Sequence, residues 1–454
     1  MPSLRQDALS IWNAGVDSVR AHELVVSQIQ VEYDQLCIAD HVFSLADFDR
    51  IVVVGAGKAA TAMATGLTAA IGDRLPIEGW INVPEGTVPA EGSEVLRHIH
   101  IHPARPASVN EPTSDGVYGT EQILRLVRAA NPRDLCIALI SGGGSALLPA
   151  PISGVTLEDK LAVIRHLSAS GADITELNTV RKHLSDVKGG GLLRACRAKQ
   201  LITLILSDVL GDPIDLIASG PTVEDTSSNT DALDVLAKFD PQRNLPASVY
   251  DALNSAPVTN PPPTTTATTC IIGNNALAVD EAGIVAERLG YNHIMHSAKT
   301  AEPSAETVGR EFAEMLVAML RSDDEHRSNC LITGGEPVVT LAPAEIRGLG
   351  GRNQQLVLAA YQTLLDCDLT PEEWSQIALL SGGTDGEDGP TDAAGAILDA
   401  SVHRIASEKQ LDIADFLRRN DAYHFFAQTG GLIQSGPTGT NVCDIRVGVI
   451  AKRR

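Results

Sequence analysis

The 454-residue length exceeds what one hydrophobic core usually supports, and two domains are therefore expected. A formal net charge of −22 argues against binding to nucleic acid or to anionic membranes, because both would be repelled. The seven cysteines are scattered without a CxxC motif, which favours a reduced, cytoplasmic protein, and no apolar run is long enough to span a bilayer.

Short apolar runs alternate with helix-length segments along the chain. The runs occupy residues 50–55, 134–144, 201–208, 269–275, 330–336, 376–385 and 444–450. Continuous runs of Val, Ile and Leu, each followed by a glycine-rich loop and a helix, predict parallel strands that are buried on both faces. Right-handed crossovers place such loops at one edge of the sheet, where ligands of α/β proteins bind.

The Pro/Thr-rich segment 256–268 interrupts this α/β pattern. Its composition cannot form a core element, so we interpret it as the connection between two α/β domains, residues 1–255 and 269–454. The alternative is a surface excursion within a single domain.

The first glycine-rich loop combines a dinucleotide-type turn with a lysine. Gly55, Gly57 and Ala60 form a G-x-G-x-x-A motif between a strand and a helix, but only Glu85 is available as a ribose-binding acid after the next strand. Lys58 lies inside the turn, where it suits a phosphate or carboxylate ligand. The alternative for Lys58 is a solvated lysine on a structural turn.

The second loop offers hydroxyl and amide donors. Its residues are Ser141, Gly142, Gly143, Gly144 and Ser145. Three consecutive glycines let backbone N–H groups converge on an oxyanion, and they are costly for a tight turn alone. The absence of a G-x-S-x-G elbow disfavours a serine hydrolase.

The strongest basic cluster of this acidic chain comes next. Arg181 and Lys188 precede Gly189 and Gly190, which open another helix, and such a helix start favours an anion. Lys182, in the same segment, is as well explained by a solvated position. The cluster therefore predicts a second set of anion-binding groups.

The second half of the chain delivers an arginine to a helix start. Gly335 and Glu336 end one apolar run, and a glycine pair precedes Arg352 and Asn353. The helix dipole disfavours a cation at that position. A role in stabilising the oxygens of a transferring phosphoryl group is therefore favoured for Arg352.

Two carboxylates follow strands at positions that suit Mg²⁺. Asp208 ends one run and Asp385, after Thr384, ends another. Mg²⁺ takes one or two protein carboxylates together with phosphate oxygens. In the same glycine-rich stretch we expect Asp388 to face solvent and Asp392 to cap a following helix.

A series of motifs spanning nearly the whole chain resembles the glycerate 2-kinases of the MOFRL-containing family. They are GAGKAA, SGGGSALLPAP, ELNTVRKHLSDVKGGGL, LSDVLGDPIDLIASGPT, GGEPVV, GGRNQQLVLAA, SGGTDGEDGPTDAAGA and GPTGTNVCD. The resemblance implies ATP-dependent phosphorylation of D-glycerate to 2-phosphoglycerate with Mg²⁺. It implies a Rossmann-like parallel α/β/α N-terminal domain, a MOFRL-type C-terminal α/β domain with a mixed sheet, and an active site in the cleft between them.

The same resemblance carries the important lysine of the family onto Lys58 and its important arginine onto Arg352. The chain departs from the family at residues 102–107, where the aspartate of a His-Pro-x-Pro-Asp loop is missing or shifted. Any role of that loop is therefore open.

These observations predict a kinase site assembled from glycine-rich loops. The predicted catalytic residues are Lys58, Asp208 and Arg352. The predicted substrate- or nucleotide-binding residues are Gly55, Gly57, Ser141, Gly142, Gly143, Gly144, Ser145, Arg181, Lys188, Gly189, Gly190, Gly335, Glu336, Asn353, Thr384 and Asp385. Asp208 and Asp385 are the predicted metal ligands, and ATP and Mg²⁺ are the predicted cofactors.

Other functions stay open at this point. The main alternative is an NAD(P)H-dependent hydroxypyruvate reductase, a label that relatives have carried. A non-catalytic sensor and a phosphatase that uses Asp385 as nucleophile are two more. The expected partner is D-glycerate, without nucleic acid or membrane, and a homodimer is one option for the assembly.

Overall fold

The computed structural model describes residues 3–87, 96–107, 111–255 and 264–452. These residues form two compact units. The first unit is Ala21–Ile272, and the second combines Met1–Arg20 with Gly273–Arg454. Most of the predicted connection, residues 256–263, lies outside the described residues.

Helices and strands alternate through both units. The helices are α1 (Leu4–Ser18), α2 (Ala21–Gln28), α3 (Ala60–Ile71), α4 (Ser114–Ala129), α5 (Gly144–Leu147), α6 (Leu157–Ala169), α7 (Ile174–His183), α8 (Gly191–Ala195), α9 (Asn229–Phe239), α10 (Ala247–Asn254), α11 (Asn275–Arg288), α12 (Ala305–Arg321), α13 (Arg352–Asp366), α14 (Pro371–Ser375), α15 (Ala400–Glu408), α16 (Ile413–Arg418) and α17 (Ala422–Thr429). The strands are β1 (Ile29–Glu32), β2 (Gln35–Ile38), β3 (His41–Ser44), β4 (Arg50–Ala56), β5 (Ile77–Pro84), β6 (Ile99–Arg105), β7 (Asp134–Ile140), β8 (Gln200–Leu206), β9 (Thr266–Gly273), β10 (His293–Ser297), β11 (Cys330–Gly335), β12 (Ile377–Gly383), β13 (Gly395–Leu398), β14 (Leu432–Ile433) and β15 (Asp444–Ile450). Short 3-10 helices cover Leu45–Asp47 and Ile217–Ser219.

The main sheet of the first unit has the strand order β6-β5-β4-β7-β8-β9. The neighbours β6–β5, β5–β4, β4–β7 and β7–β8 all pair in parallel. Counted from β4, this is the order 3-2-1-4-5-6 of the Rossmann fold, whose ligand crevice opens where the order reverses, between β4 and β7. The sequence predicts this sheet correctly because β7 is buried along its full length and β4 along nearly all of it, leaving continuous apolar runs. A small antiparallel sheet, β1-β2-β3, belongs to the same unit.

The second unit contains a mixed sheet, as predicted, in the order β10-β11-β15-β12-β13-β14. Strands β10 and β11 pair in parallel, and the other neighbours pair antiparallel. A large apolar core built around Phe312, Tyr361, Phe425 and Phe426 packs on this sheet. The central β15 therefore brings its first residue, Asp444, level with the ends of β11 and β12.

The two units do not follow the predicted boundaries. Helix α1 belongs to the second unit, where the buried Trp12 donates a hydrogen bond from Nε1 to the carbonyl of Gly382 at 3.2 Å. Strand β9, predicted to open the second domain, instead pairs at the edge of the first sheet. An apolar run indicates a buried strand, but it does not indicate which sheet the strand joins.

The segment after the acidic glycine loop also differs from expectation. Residues 395–398 form β13, which pairs antiparallel with β12, rather than the start of a helix. A Cβ on Gly395 would lie 2.0 Å from the carbonyl oxygen of Ser381, so the close strand approach requires glycine there. Among the described residues, no helix is both apolar and long enough to cross a membrane.

Candidate active site

Two interlocked loops occupy the point in the first unit where the strand order reverses. The N–H of Lys58 donates to the carbonyl of Gly142 at 2.9 Å, and the N–H of Ala59 donates to Ser141 Oγ at 3.0 Å. Gly57 has φ +146°, and a Cβ there would lie 2.0 Å from Ser141 Oγ. Gly57 and Ser141 therefore allow the two loops to pack closely. The hydroxyl of Ser141 is used within the protein, where it accepts from the N–H of Ala59.

Gly55, two residues before Gly57, also allows a close approach, here between strands β4 and β7. A Cβ on Gly55 would lie 2.3 Å from the carbonyl oxygen of Leu139 in β7. The N–H of Gly144 donates to the carbonyl of Ser141 at 3.2 Å. Gly55 and Gly144 therefore have structural roles in building the loops.

Lys58 and Arg105 both lie close to Gly143. Gly143 has φ +77°, and a Cβ there would lie 3.3 Å from Arg105 Nη2 and 3.9 Å from Lys58 Cγ. Arg105 ends β6 and is buried, and this burial lowers the pKa of its guanidinium. The sequence missed Arg105 because it falls in the stretch that diverges from the family pattern.

Lys188 connects the second glycine loop to a strained segment. Its Nζ donates to Ser145 O at 2.8 Å, to Ser145 Oγ at 2.7 Å and to Ser219 Oγ at 3.4 Å. The hydroxyl of Ser219 in turn donates to Asn178 Oδ1 at 2.8 Å. Burial, with the nearby Lys160 and Arg181, holds the pKa of Lys188 well below its ordinary value.

Ser219 itself sits in an unusual backbone conformation. Ala218 and Ser219 have φ +50° and +62°, a region that residues with a Cβ rarely adopt. Ser219 is also fully buried. Such strain persists only where the surrounding structure holds it, and it is concentrated at functional sites.

Gly189 and Gly190 help to hold this strained segment. The N–H of Gly189 donates to Ser219 O at 3.0 Å, and the N–H of Gly190 donates to Gly220 O at 2.7 Å. Their amides are thus committed to the protein, which does not support the prediction that they bind a ligand. Lys182 is likewise structural, since its Nζ lies 3.3 Å from Asp215 and 3.4 Å from Asp225.

A basic pocket of about 180 Å³ opens beside Lys188. Ser145, Lys160, Arg181 and Lys188 line it, together with Gly143. Lys160 is 3% exposed, and burial, reinforced by Arg181, lowers its pKa to about 7. Burial also lowers the pKa of Arg181. Lys160 lines this pocket, although no feature of the sequence predicts that position.

The two predicted metal ligands lie in different units, Asp208 in the first and Asp385 in the second. Asp208 follows β8 and is half-buried. In the part of the chain that the structure describes, no three or more His, Cys, Asp or Glu side chains form a group that could hold a metal ion. A single carboxylate such as Asp208 fits Mg²⁺, which completes its shell with water and phosphate oxygens.

Arg352 of the second unit is clamped by two carboxylates. It donates to Asp444 from Nε at 2.7 Å and from Nη2 at 3.0 Å, and its Nη1 lies 3.1 Å from Glu336 Oε1. Burial opposes the charge on Arg352, yet Asp444, Glu336 and Asp388 raise its pKa overall. Burial raises the pKa of Glu336. The guanidinium is therefore charged and fixed in place.

Asp388 is a buried helix cap rather than a solvent-facing acid. It accepts hydrogen bonds from the N–H groups of Asn353 and Gln354 at 3.0 and 2.8 Å, and it is 2% exposed. Burial raises its pKa to about 7. Asn353 also accepts a hydrogen bond from Ser381, so its side chain is turned into the protein. The preference of a helix N-terminus for an anion explains the inward turn of Asp388.

The other acids and hydroxyls of this stretch have mainly local partners. Thr384 Oγ1 donates to Cys443 O at 2.7 Å and accepts from the N–H of Val442 at 2.8 Å. Asp385 Oδ1 accepts from the N–H of Glu387 at 3.1 Å. Asp392 does not cap a helix; it accepts hydrogen bonds from Tyr423 and Gln434. Asp385 is partly exposed.

A larger pocket of about 490 Å³ adjoins Arg352. Glu336 and Arg352 provide its charges, and Val338 and Leu341, both about 60% exposed, belong to its apolar wall. Gly335 stands behind it, where a Cβ would lie 2.0 Å from Glu302 Oε2. Gly335 therefore makes room for the half-buried carboxylate of Glu302.

Known proteins resemble this chain over nearly its whole length. Residues 7–254 match the family model described as a domain of unknown function, DUF4147, and residues 329–444 match the MOFRL family. The chain is 37% identical to the glycerate kinase of Rattus norvegicus, over 98% of this chain and 93% of that protein. It is 35% identical to the D-glycerate 2-kinase of Thermotoga maritima, over 95% and 97%. The crystal structure of a glycerate kinase from Thermotoga maritima superposes with a TM-score of 0.82 at 34% identity and covers 99% of both chains.

Proposed function

The chain is a kinase of the glycerate kinase family, and we propose that it transfers the γ-phosphoryl group of ATP to the 2-hydroxyl of D-glycerate. The observation that carries this proposal is the concentration of buried or half-buried cations at the carboxyl ends of the parallel strands. In a chain of net charge −22, Lys58, Arg105, Lys160, Arg181 and Lys188 lie there together around glycine loops. Such a site suits anionic substrates.

A kinase site needs positioned charge more than a strong base. The transferring phosphoryl group spreads negative charge over its oxygens, and fixed cations stabilise that charge without reorganisation. Arg352 meets this requirement because Asp444 holds its guanidinium through two hydrogen bonds. In the first unit, Lys58 is the cation proposed to stabilise phosphoryl oxygens.

Mg²⁺ is the expected partner of the nucleotide. When bound, it neutralises phosphate charge and orients the phosphate oxygens. Asp208 is the proposed ligand in the first unit, and its alternative role is to orient the attacking hydroxyl. Asp385 is the second candidate ligand.

Hydroxypyruvate reduction has less support than phosphoryl transfer. A reductase needs an acid for the cofactor ribose and a proton donor beside an arginine. The turn at Gly57 has the dinucleotide-type geometry, but Lys58 within it favours a phosphate or carboxylate. All the curated relatives named above are kinases.

Variants at Lys58 and Arg352 test the proposal. Lys58→Ala and Arg352→Ala should each lower kcat for ADP formation by about 10²–10³-fold, because each removes one preorganised donor. Lys238→Ala and Arg404→Ala are matched controls, since both residues are exposed and form surface ion pairs. Wild-type turnover in both active-site variants would contradict the assigned roles.

Parallel assays separate the remaining alternatives. A reductase would oxidise NADH in the presence of hydroxypyruvate. A sensor would bind D-glycerate or nucleotide without turnover, and a phosphatase would release phosphate in the absence of ATP. The proposal requires ADP formation that depends on D-glycerate.

A cytoplasmic location and a homodimer are further parts of the proposal. The seven cysteines are all free thiols, which suits a reducing compartment. Light scattering coupled to size-exclusion chromatography tests the assembly, with a mass of twice 47.9 kDa expected for the dimer.

A further inference from the structure

The basic pocket of the first unit contains three basic side chains that form no ion pair with a carboxylate in the described part of the chain. Lys160 Nζ donates to the carbonyl of Leu184 at 3.3 Å, and Lys188 Nζ reaches only hydroxyl and carbonyl oxygens of Ser145 and Ser219. Within the described ranges, neither lysine nor Arg181 forms an ion pair with a carboxylate. Burying cations without counter-charges is costly.

Two neighbouring cations of the same unit are paired with carboxylates. Lys182, next to Arg181 in the chain, lies between two carboxylates. Arg165, on the edge of the pocket, forms a two-pronged pair with Glu111. The chain has 57 acidic residues, and none of them pairs with the three cations in the described part of the structure. The missing negative charge is therefore expected from a ligand.

The pocket is small. Its volume of about 180 Å³ lies below the roughly 300–1,000 Å³ of pockets that hold drug-sized molecules. This size suits a three-carbon acid better than a nucleotide. Leu161 and Ile164 give it an apolar wall, and Ser145 adds a hydroxyl that can bond an alcohol.

From this geometry we infer that Lys160, Arg181 and Lys188 bind the carboxylate of the three-carbon acid substrate, which assigns the acid to this pocket and the nucleotide to a separate one. This inference rests on the proposed function and adds to it the location of the acid. It also adds Lys160 and Ser219 to the functional residues, Lys160 as a binding group and Ser219 as a positioning residue for Lys188.

The charge of the empty pocket depends on the protonation of its two lysines. Burial lowers the pKa of both lysines, so Arg181 supplies most of the positive charge while the pocket is empty. The other charged groups around the lysines are Asp186 beside Lys160 and the Arg165–Glu111 pair at the edge.

Ligand binding should consequently take up protons. A bound carboxylate raises the pKa of both lysines, because an opposite charge stabilises the ammonium form. At pH 8, D-glycerate binding should therefore be accompanied by proton uptake. The affinity for D-glycerate should fall as the pH rises above about 7, the pKa of Lys160.

Isothermal titration of the full chain with D-glycerate, without nucleotide, tests the inference. Titrations at pH 8 in phosphate-free buffers of different ionisation enthalpy report the number of protons taken up. Lys160→Met and Arg181→Gln should each weaken D-glycerate binding by roughly 10- to 100-fold, the loss expected for one charged hydrogen bond. Their affinity for ADP should stay within about twofold of the wild type, as should both affinities of the exposed control Lys238→Met.

The outcomes distinguish this inference from the proposed function. Unchanged D-glycerate affinity in both variants, or a parallel loss of ADP affinity, would overturn the pocket assignment. Inorganic phosphate binding more tightly than D-glycerate, and lost in the same variants, would also overturn it in favour of a phosphate site. If the wild type lacked kinase activity but bound glycolate and L-lactate through Lys160 and Arg181, the carboxylate pocket would stand and the proposed function would fail.

Discussion

Replacing Lys160 by methionine should make the ligand-free protein more stable. Lys160 lies on α6, is 3% exposed, and has one hydrogen-bond partner, the carbonyl of Leu184. Methionine is unbranched and flexible, so it can follow the path of the lysine stem without overpacking. The substitution removes an ammonium group whose burial opposes folding in the absence of ligand.

The size of this effect follows from the pKa of Lys160. Burial lowers it from 10.5 to about 7. Since each tenfold change in a protonation equilibrium corresponds to about 1.4 kcal/mol, the burial costs the folded protein roughly 4 kcal/mol near pH 7. The substitution also leaves the Leu184 carbonyl without its donor, which destabilises the variant by about 1–3 kcal/mol. The variant should thus gain about 1–3 kcal/mol in its free energy of unfolding.

The gain should depend on pH with a defined sign. Between pH 7 and 10.5 the unfolded wild type binds more protons at this lysine than the folded protein does. The wild type therefore gains stability relative to the variant as the pH rises through this window. The difference of roughly 4 kcal/mol at pH 7 should fall to about 1 kcal/mol near pH 10, before the loss at Leu184 is counted.

Urea unfolding of both proteins at pH 7 and pH 9.5, followed by circular dichroism, measures this difference. Lys238→Met is the control, because Lys238 is exposed and its replacement should change stability by less than about 1 kcal/mol. A Lys160→Met variant that is less stable than the wild type at pH 7, or a difference that does not shrink with pH, would refute the reasoning. It would show that Lys160 is not held as a buried, destabilised cation.

Three further predictions concern the backbone and the second unit. Gly57→Ala should lower the free energy of unfolding by about 3 kcal/mol or more and abolish turnover. Gly72→Ala is the control, because a Cβ there meets open space, and it should cost only about 1 kcal/mol. Equal effects of the two variants in thermal unfolding would contradict this prediction. Asp388→Asn should gain stability relative to the wild type as the pH rises from 4 to 7, because burial raises the pKa of Asp388 to about 7; a gap that is constant over this range in urea titrations would disprove it. Asp444→Asn should lower kcat by about 10-fold or more through loss of the clamp on Arg352, and an unchanged kcat would remove that clamp from the mechanism.

The fold could be predicted where burial on both faces leaves a continuous apolar run. Strands β4, β7 and β8 have such runs, and the sequence identifies all three. Strand β6 lies at the sheet edge and alternates histidines with apolar residues, so no run marks it. The strand directions of the second sheet could not be predicted from the apolar runs, because a buried antiparallel strand such as β15 is as apolar as a parallel one.

The site shows the same division between local chemistry and tertiary placement. Lys58, Arg181 and Lys188 were recognisable because they adjoin glycine loops in an acidic chain. Lys160 was not, because a lysine in an amphipathic helix pattern usually faces solvent. Asp388 was misplaced because a glycine-rich loop does not reveal which of its acids turns inward to cap a helix that begins 36 residues earlier, at Arg352.

The most direct test of the central claim is to identify the product. The purified protein is incubated with D-glycerate, ATP and Mg²⁺, and the phosphorylated acid is observed by ³¹P NMR while ADP is quantified. The account predicts 2-phosphoglycerate in a one-to-one ratio with ADP. Formation of 3-phosphoglycerate, or ATP that stays intact in the presence of D-glycerate, would contradict it.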